Sequence, residues 1–396
     1  MSKERLWTKD FITVSVINFF IALIFYLLIV TIASYALDTF HTSTSMAGLV
    51  SGIFIIGALI GRLITGRIID DVGSRKILIL SLLFFAIASV LYLAAINLQI
   101  LIINRFLHGL TFGVATTAIG TIIAQSTPAQ RMGEGISYFS MSTILATAIG
   151  PFIGIFLIEY GNFNIIFVFN LILSIFCLVM SLAVSKLDFK SLPKQHKIKK
   201  SFKDFKISNL LEFRAIPISI IMSIISFTFS GVLTFISVYA EQINLVDAAG
   251  LFFIIYAVTI LVSRPFLGRL LDARGANIVI YPCLLIFAIG MFLFSQATLG
   301  ITLVMAAALI GLGYGNLQSS TQTTAINMAP PDKLGLATAT YFMLYDIGFG
   351  IGPYLFGLLI PFIGYRNLYS IMVMVILGVI LLYFVLHGRK EEQLNI

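Results

Sequence analysis

The sequence predicts an all-α membrane protein, twelve transmembrane helices in two pseudo-symmetric halves of six, and three observations carry that prediction. The first is composition: 59% of the 396 residues are hydrophobic and 11% charged, with a mean hydropathy of +1.04. That is more apolar surface than a soluble domain of this size can bury. The second is spacing. Runs of about 20 apolar residues, each able to cross roughly 30 Å of hydrocarbon as a helix, recur between short polar breaks. The third is repetition: Arg62-Leu-Ile-Thr-Gly66-Arg67-Ile-Ile-Asp70-Asp-Val-Gly73 returns 202 positions later as Arg264-Pro-Phe-Leu-Gly268-Arg269-Leu-Leu-Asp272-Ala-Arg-Gly275. Seven glycine pairs keep this offset, where about one would align by chance.

The first span lies near 11–36, preceded by Lys3, Arg5 and Lys9. It is too long for a secretory signal and lacks a small-residue cleavage site, so it reads as a permanent helix. Asn18, Phe25 and Tyr26 share one of its faces. The second and third spans (46–65 and 77–96) flank the first copy of the repeat, and a fourth follows at 100–124. The fourth carries Asn104-Arg105-Phe-Leu-His108-Gly109, which puts an arginine roughly 8 Å inside the membrane, where a charge is expensive. Either it serves a function there or it snorkels to the headgroups. His108, one turn on, is a proton carrier or a packing hydrogen-bond donor. The fifth span (136–158) contains Ala146-Thr-Ala-Ile-Gly150-Pro151-Phe-Ile-Gly154, small residues one turn apart ahead of a proline, which allow a bend and close packing. The sixth is at 164–185.

Between the halves, Lys186 to Arg214 holds nine basic and three acidic residues. Such a run suits a cytoplasmic linker held near anionic lipid better than a nucleic-acid contact. The expected domains are therefore 1–186, a linker at 187–214, and 215–396. The seventh span (215–238) has hydroxyl residues every three or four positions, including Ser226, Ser230 and Thr234, candidates to line a cavity. The eighth and ninth spans (248–267 and 277–297) flank the second copy of the repeat. The tenth (299–326) places Gln318 and Gln322 on one face.

The eleventh span (336–360) holds Asp346 about ten residues in, near the bilayer midplane, while the sixteen other acidic residues fall in loops, tails or helix ends. A carboxyl group at that depth can gain and lose a proton during a transport cycle, or it can hold the helix in place by a hydrogen bond. Gly352-Pro353 follows it, at the repeat positions of Gly150-Pro151. The twelfth span is at 367–386.

Basic residues set the orientation. Arg67, Arg75, Lys76, Arg131, Arg269, Arg274, Lys333, Arg389 and Lys390 gather on one side of the spans, and the opposite loops carry only Arg366. Both termini are thus expected in the cytoplasm of a plasma-membrane protein. Gly311-Leu-Gly313-Tyr-Gly315 resembles part of a dinucleotide loop but sits within a span with no preceding strand. There is no phosphate-binding Gly-Lys-Ser/Thr loop, the four histidines have no metal-ligand spacing, and Cys177 and Cys283 lie within spans. No cofactor, metal or enzymatic activity is expected.

A parallel repeat filling so apolar a chain points to a transporter whose halves rock around a shared site. The paired loops, Arg105 in the fourth span and Gly150-Pro151 in the fifth resemble the major facilitator superfamily along essentially the whole chain, most closely its twelve-helix drug and metabolite proton antiporters. The resemblance implies that Gly66, Asp70, Gly73 and Arg75, with Gly268, Asp272 and Gly275, latch the halves together on the cytoplasmic side when the cavity opens outward. It implies that Arg105 engages a carboxylate or polar group and tunes proton release. Asp71 and Ser74 stand where the family has basic residues, and Ala146 replaces a glycine of the exporter motif. The expected activity is proton-coupled efflux of small amphipathic drugs or metabolites by a monomer, its partners being the substrate, protons and membrane lipid, with no nucleic acid. A proton symporter importing a sugar, amino acid or organic acid is the alternative.

Overall fold

The structure, a computed structural model, describes residues 6–127, 132–160, 162–185, 211–330 and 334–389. The basic linker up to residue 210, Arg131, Lys333 and Lys390 lie outside them, as do the side chains of Arg67, Asp70, Asp71 and Asp272.

Every predicted span is helical. The first six helices are α1 (Lys9–Phe40), α2 (Thr44–Val72), α3 (Ser74–Leu91), α4 (Leu98–Ser126), α5 (Met132–Tyr160) and α6 (Phe163–Leu182). The chain continues with α7 (Ile216–Gln242), α8 (Val246–Arg274) and α9 (Asn277–Ser295). The tenth span is composite: α10 (Gly300–Ile310) passes through a π turn at Gly311–Gly315 into α11 (Asn316–Asn327). The eleventh and twelfth spans are both helical and meet at a kink, together making up α12 (Leu334–Tyr383). Its 50 residues would run about 75 Å if straight, far beyond a bilayer core. Gly364, at φ 73°, breaks it into two passes.

Local chemistry sets the helix ends. Asn97 and Asn162 accept hydrogen bonds from the amides of Ile100 (2.9 Å) and Ile165 (3.1 Å), and Thr8 caps α1 in the same way through Phe11 (3.2 Å). The duplicated loops share one geometry: Gly73 (φ 93°) and Gly275 (φ 84°) close α2 and α8, each donating its amide at 3.0 Å to the carbonyl four residues back, Ile69 or Leu271. Only glycine adopts these angles without strain, which accounts for both glycines of the repeat.

Apolar residues cover both faces of the helices. On α3, Leu78, Leu82, Phe85 and Ser89 form a buried stripe, and Leu80, Phe84, Ile87 and Leu91 form an equally regular stripe that is exposed. In water the second stripe would be a liability; in lipid it is the solvated face. The chain is a multi-pass membrane protein.

Small residues bring α2 against α12. A Cβ on Gly48 would run into the Pro353 carbonyl, and one on Gly52 into the Gly350 carbonyl, so the two backbones touch along this seam. The Thr44 hydroxyl fastens its end by donating to the Gly357 carbonyl at 2.6 Å. The seam joins the first six helices to the last six.

Candidate functional site

A cavity of about 300 Å³ lies among α1, α5, α7, α8, α11 and α12. The helices present one face each at a four-residue spacing: Thr143 and Thr147 from α5, Phe229 and Leu233 from α7, Gln318 and Gln322 from α11, Tyr345 and Phe349 from α12. Tyr26 enters from α1, Tyr256 and Arg264 from α8, and Tyr314 from the π turn. That turn re-aims Tyr314 so that its ring stacks on Phe229 (centroids 3.9 Å apart) and its hydroxyl meets that of Tyr345 at 2.9 Å. Of the three glycines, Gly315 lines the cavity, while Gly311 packs on the backbone of Tyr256 and Gly313 on that of Phe287.

The lining comes from the middle of the helices and from the side on which α1 begins, termed the near side here. The far side is sealed by the α2–α12 seam, by the Ser237 hydroxyl of α7 donating to the Val30 carbonyl of α1 (3.0 Å), and by Phe152 of α5 against Gly250 of α8. On the near side Gly66, Gly120 and Gly268 are open, and a Cβ at any of them would meet nothing within 4 Å.

Where the α2–α12 seam ends, near the level of the cavity, Arg62 of α2 donates to the carboxylate of Asp346 on α12 in a direct ion pair. The side chain of Asp346 is 8% exposed and that of Arg62 is 32% exposed. Tyr26, which lines the cavity, is within electrostatic reach of the same guanidinium. Asp346 stands out in the sequence as a lone mid-span acid, but its partner does not: Arg62 reads there as the opening of a loop motif.

Arg105 does not snorkel. It is fully buried, with Nε donating to the Val50 carbonyl (3.1 Å), Nη1 to the Tyr92 hydroxyl (3.2 Å), and its Cζ 4.4 Å from the Phe54 ring centre. His108 Nδ1 shares the Tyr92 hydroxyl at 3.0 Å. Among the described residues Arg105 thus engages a polar group and no carboxylate, and neither it nor His108 lines the cavity.

Four cavity candidates lie elsewhere. Asn18 donates to Ser142 (2.8 Å) and Thr143 (2.9 Å), tying α1 to α5 behind the lining. Ser226 and Ser230 face α12: Ser226 donates to the Tyr345 carbonyl (2.9 Å), and Ser230 fills the space beside Gly352. Thr234 is buried without a partner. The hydroxyl stripe of α7 is a packing surface, and its neighbours Phe229 and Leu233 meet the cavity. Tyr26, Gln318 and Gln322 do line it. Among the proposed latch residues, Arg75 caps the end of α6 through the carbonyls of Val184 (2.6 Å) and Leu182 (3.1 Å). The helices stay intact through Pro151 and Pro353, where Gly150 packs on α1 and Gly352 on α7. Among the described residues, no cluster of His, Cys, Asp or Glu suits a metal ion.

The family model described as Major Facilitator Superfamily matches residues 14–246 and 243–395. The chain belongs to the Major Facilitator Superfamily. It is 24% identical to Multidrug resistance protein 2 of Bacillus subtilis over 95% of both chains. It is 23% identical to the Staphylopine export protein of Staphylococcus aureus over 86% of this chain and 87% of that one. An uncharacterised MFS-type transporter of Methanocaldococcus jannaschii is 24% identical over 88% of this chain and 91% of its own. Among solved structures, a bacterial homologue of the human lysosomal transporter Spinster, inward-facing and unoccupied, superposes with a TM-score of 0.80 at 13% identity, covering 97% of each chain. The nucleoside transporter NupG gives 0.73 at 12% identity, covering 96% of this chain and 99% of that one. These likenesses show the fold. As a member of the superfamily the protein is a secondary transporter of small molecules and not an enzyme.

Proposed function

We propose that this transporter is a proton-coupled exporter of small amphipathic drugs or metabolites, working by alternating access as a monomer in the plasma membrane with both termini in the cytoplasm. On this reading the moving units are residues 1–186 and 215–396, the linker at 187–214 lies against cytoplasmic lipid, and the near side faces the cytoplasm. The structure then corresponds to an inward-open state. The Arg62–Asp346 pair carries the proposal: it bridges the moving units where their seam ends, so adding a proton to Asp346 removes an attraction that favours this state. The aromatic cavity and the export and multidrug relatives support amphipathic cargo leaving the cell. One proton moving inward through about 100 mV supplies about 2.3 kcal/mol, enough for roughly a 50-fold cargo gradient. When the cavity faces outward, Gly66, Asp70, Gly73 and Arg75, with Gly268, Asp272 and Gly275, close the cytoplasmic side, and Arg105 with His108 tunes proton release from the far-side layer.

Proteoliposomes with an imposed pH gradient test the proposal, using cationic and anionic dyes, sugars and amino acids as cargo. Asp346→Asn is expected to abolish gradient-driven accumulation while cargo binding persists. Uphill transport by that variant at the wild-type rate removes Asp346 from the mechanism. Uptake of a sugar or amino acid with the proton selects the importer.

A further inference from the structure

The repeat that relates the two halves also exposes a missing charge. Arg62 and Arg264 occupy equivalent positions in the two copies, on α2 and α8. Arg62 has a carboxylate across from it, Asp346 on α12. The position equivalent to Asp346 in the first half is residue 144 on α5, the helix that packs against α8, and it is Ile144. Ile144 and Arg264 both line the cavity, no aspartate or glutamate does so among the described residues, and Arg264 has no carboxylate partner there. The phenols of Tyr256 and Tyr341 lie within electrostatic reach of it. Among the described residues this guanidinium on the wall of an aromatic cavity has no counter-charge, and its planar fork suits a carboxylate held by two parallel hydrogen bonds.

We propose that the cargo itself supplies the missing carboxylate: the transporter takes aromatic amphiphiles bearing a carboxylate, which pairs with Arg264 while the ring packs among Tyr256, Tyr314 and Phe229. The amide groups of Gln318 and Gln322, on the adjoining face, hold further oxygens of the same ligand. This inference rests on the reading of the cavity as the cargo site and makes its selectivity anionic. A cation would face Arg264 with no acid to offset the repulsion.

The test uses the purified full-length protein and charge-matched probes of one shape: naphthalene-2-acetate, its neutral amide, and 2-naphthylethylammonium, with binding read from thermal stabilisation. The acetate is expected to bind ~10–100-fold more tightly than the amide, the range of a charge-assisted hydrogen bond, and the ammonium more weakly than either. Arg264→Gln should erase the preference, and Arg264→Lys should keep its direction with lower affinity, which separates a lost charge from a lost fold. Binding of the amide or the ammonium equal to that of the acetate overturns the anionic cargo, as does an acetate preference that survives Arg264→Gln. Failure of all three probes to bind overturns it too. Transport of other cargo that still depends on Asp346 would leave the coupling mechanism standing in each of these cases, and loss of that dependence would count against the mechanism alone.

Discussion

Removing the Arg62–Asp346 pair should shift the balance between the two faces of the transporter by an amount the geometry bounds. Two unit charges about 4 Å apart at an effective dielectric near 20 attract by about 4 kcal/mol. Arg62 is about a third exposed, and screening through that opening reduces the figure to about 2 kcal/mol, within the ~0.5–3 kcal/mol found for residues in contact. If the pair forms only in the near-side-open state, its loss changes the population ratio roughly 30-fold. Spin labels at Gly120→Cys and Ala273→Cys, both exposed on the near side, report the opening as a distance distribution. The native thiols Cys177 and Cys283 are buried, so labelling is confined to the engineered sites. Arg62→Gln and Asp346→Asn should each move population toward the near-side-closed distance. The double variant should go little further than the larger single effect, because both singles remove one interaction. Lowering the pH should move the wild type in the same direction and leave Asp346→Asn where it is. Additivity of the two substitutions within about 0.5 kcal/mol would refute the pair as a conformational device.

Two further outcomes follow from the packing and a third from the proposed latch. Gly52→Val puts a side chain where the Gly350 carbonyl sits, so the α2–α12 seam should open at a cost of about 1–3 kcal/mol; the spin-label distances should shift toward the near-side-closed state, and an unchanged distribution would show that the seam tolerates the volume. For Arg105, burial of the charge is offset by its hydrogen bonds and by the Phe54 ring, worth roughly 1.5–3 and about 2 kcal/mol. Arg105→Met should therefore melt within a few degrees of the wild type yet turn over more slowly, and parallel loss of stability and transport would assign Arg105 to the fold alone. Asp70→Asn should slow transport by weakening closure of the cytoplasmic side, and unaltered turnover in proteoliposomes would refute the latch.

How far the sequence could reach depended on whether a residue's role is set locally or by a distant neighbour. Gly73 and Gly275 are legible because a helix closing into a short loop needs a positive φ, a demand that acts within four residues. Asp346 is legible because the bilayer penalises a lone charge wherever the neighbours come to lie. Arg62 is the first residue of the repeat, but its partner is 284 positions away, and no spacing rule connects α2 to α12. The hydroxyl residues of α7 read in the sequence as candidate cavity lining because the hydroxyl that wets a cavity and the hydroxyl that lets two helices touch recur at the same three- to four-residue interval. Only the position of Gly348 and Gly352 against Ser223 and Ser230 distinguishes them.

The repeat itself resolves more than either half does alone. Two copies of one arginine, folded into equivalent helices, differ in what stands opposite: a carboxylate for Arg62 and an isoleucine for Arg264. Among the described residues the first arginine is neutralised and the second is not, so the pseudo-symmetry of the backbone coexists with an asymmetric field in the cavity. A transporter with both arginines paired would have two proton-sensitive bridges and an electrically quiet cavity. With one paired and one open, the proposed coupling and the proposed recognition fall to different halves of the same duplicated element. Restoring the missing acid by Ile144→Asp is then the sharpest internal control, since it should give Arg264 a partner and reduce binding of anionic cargo while leaving Arg62–Asp346 intact.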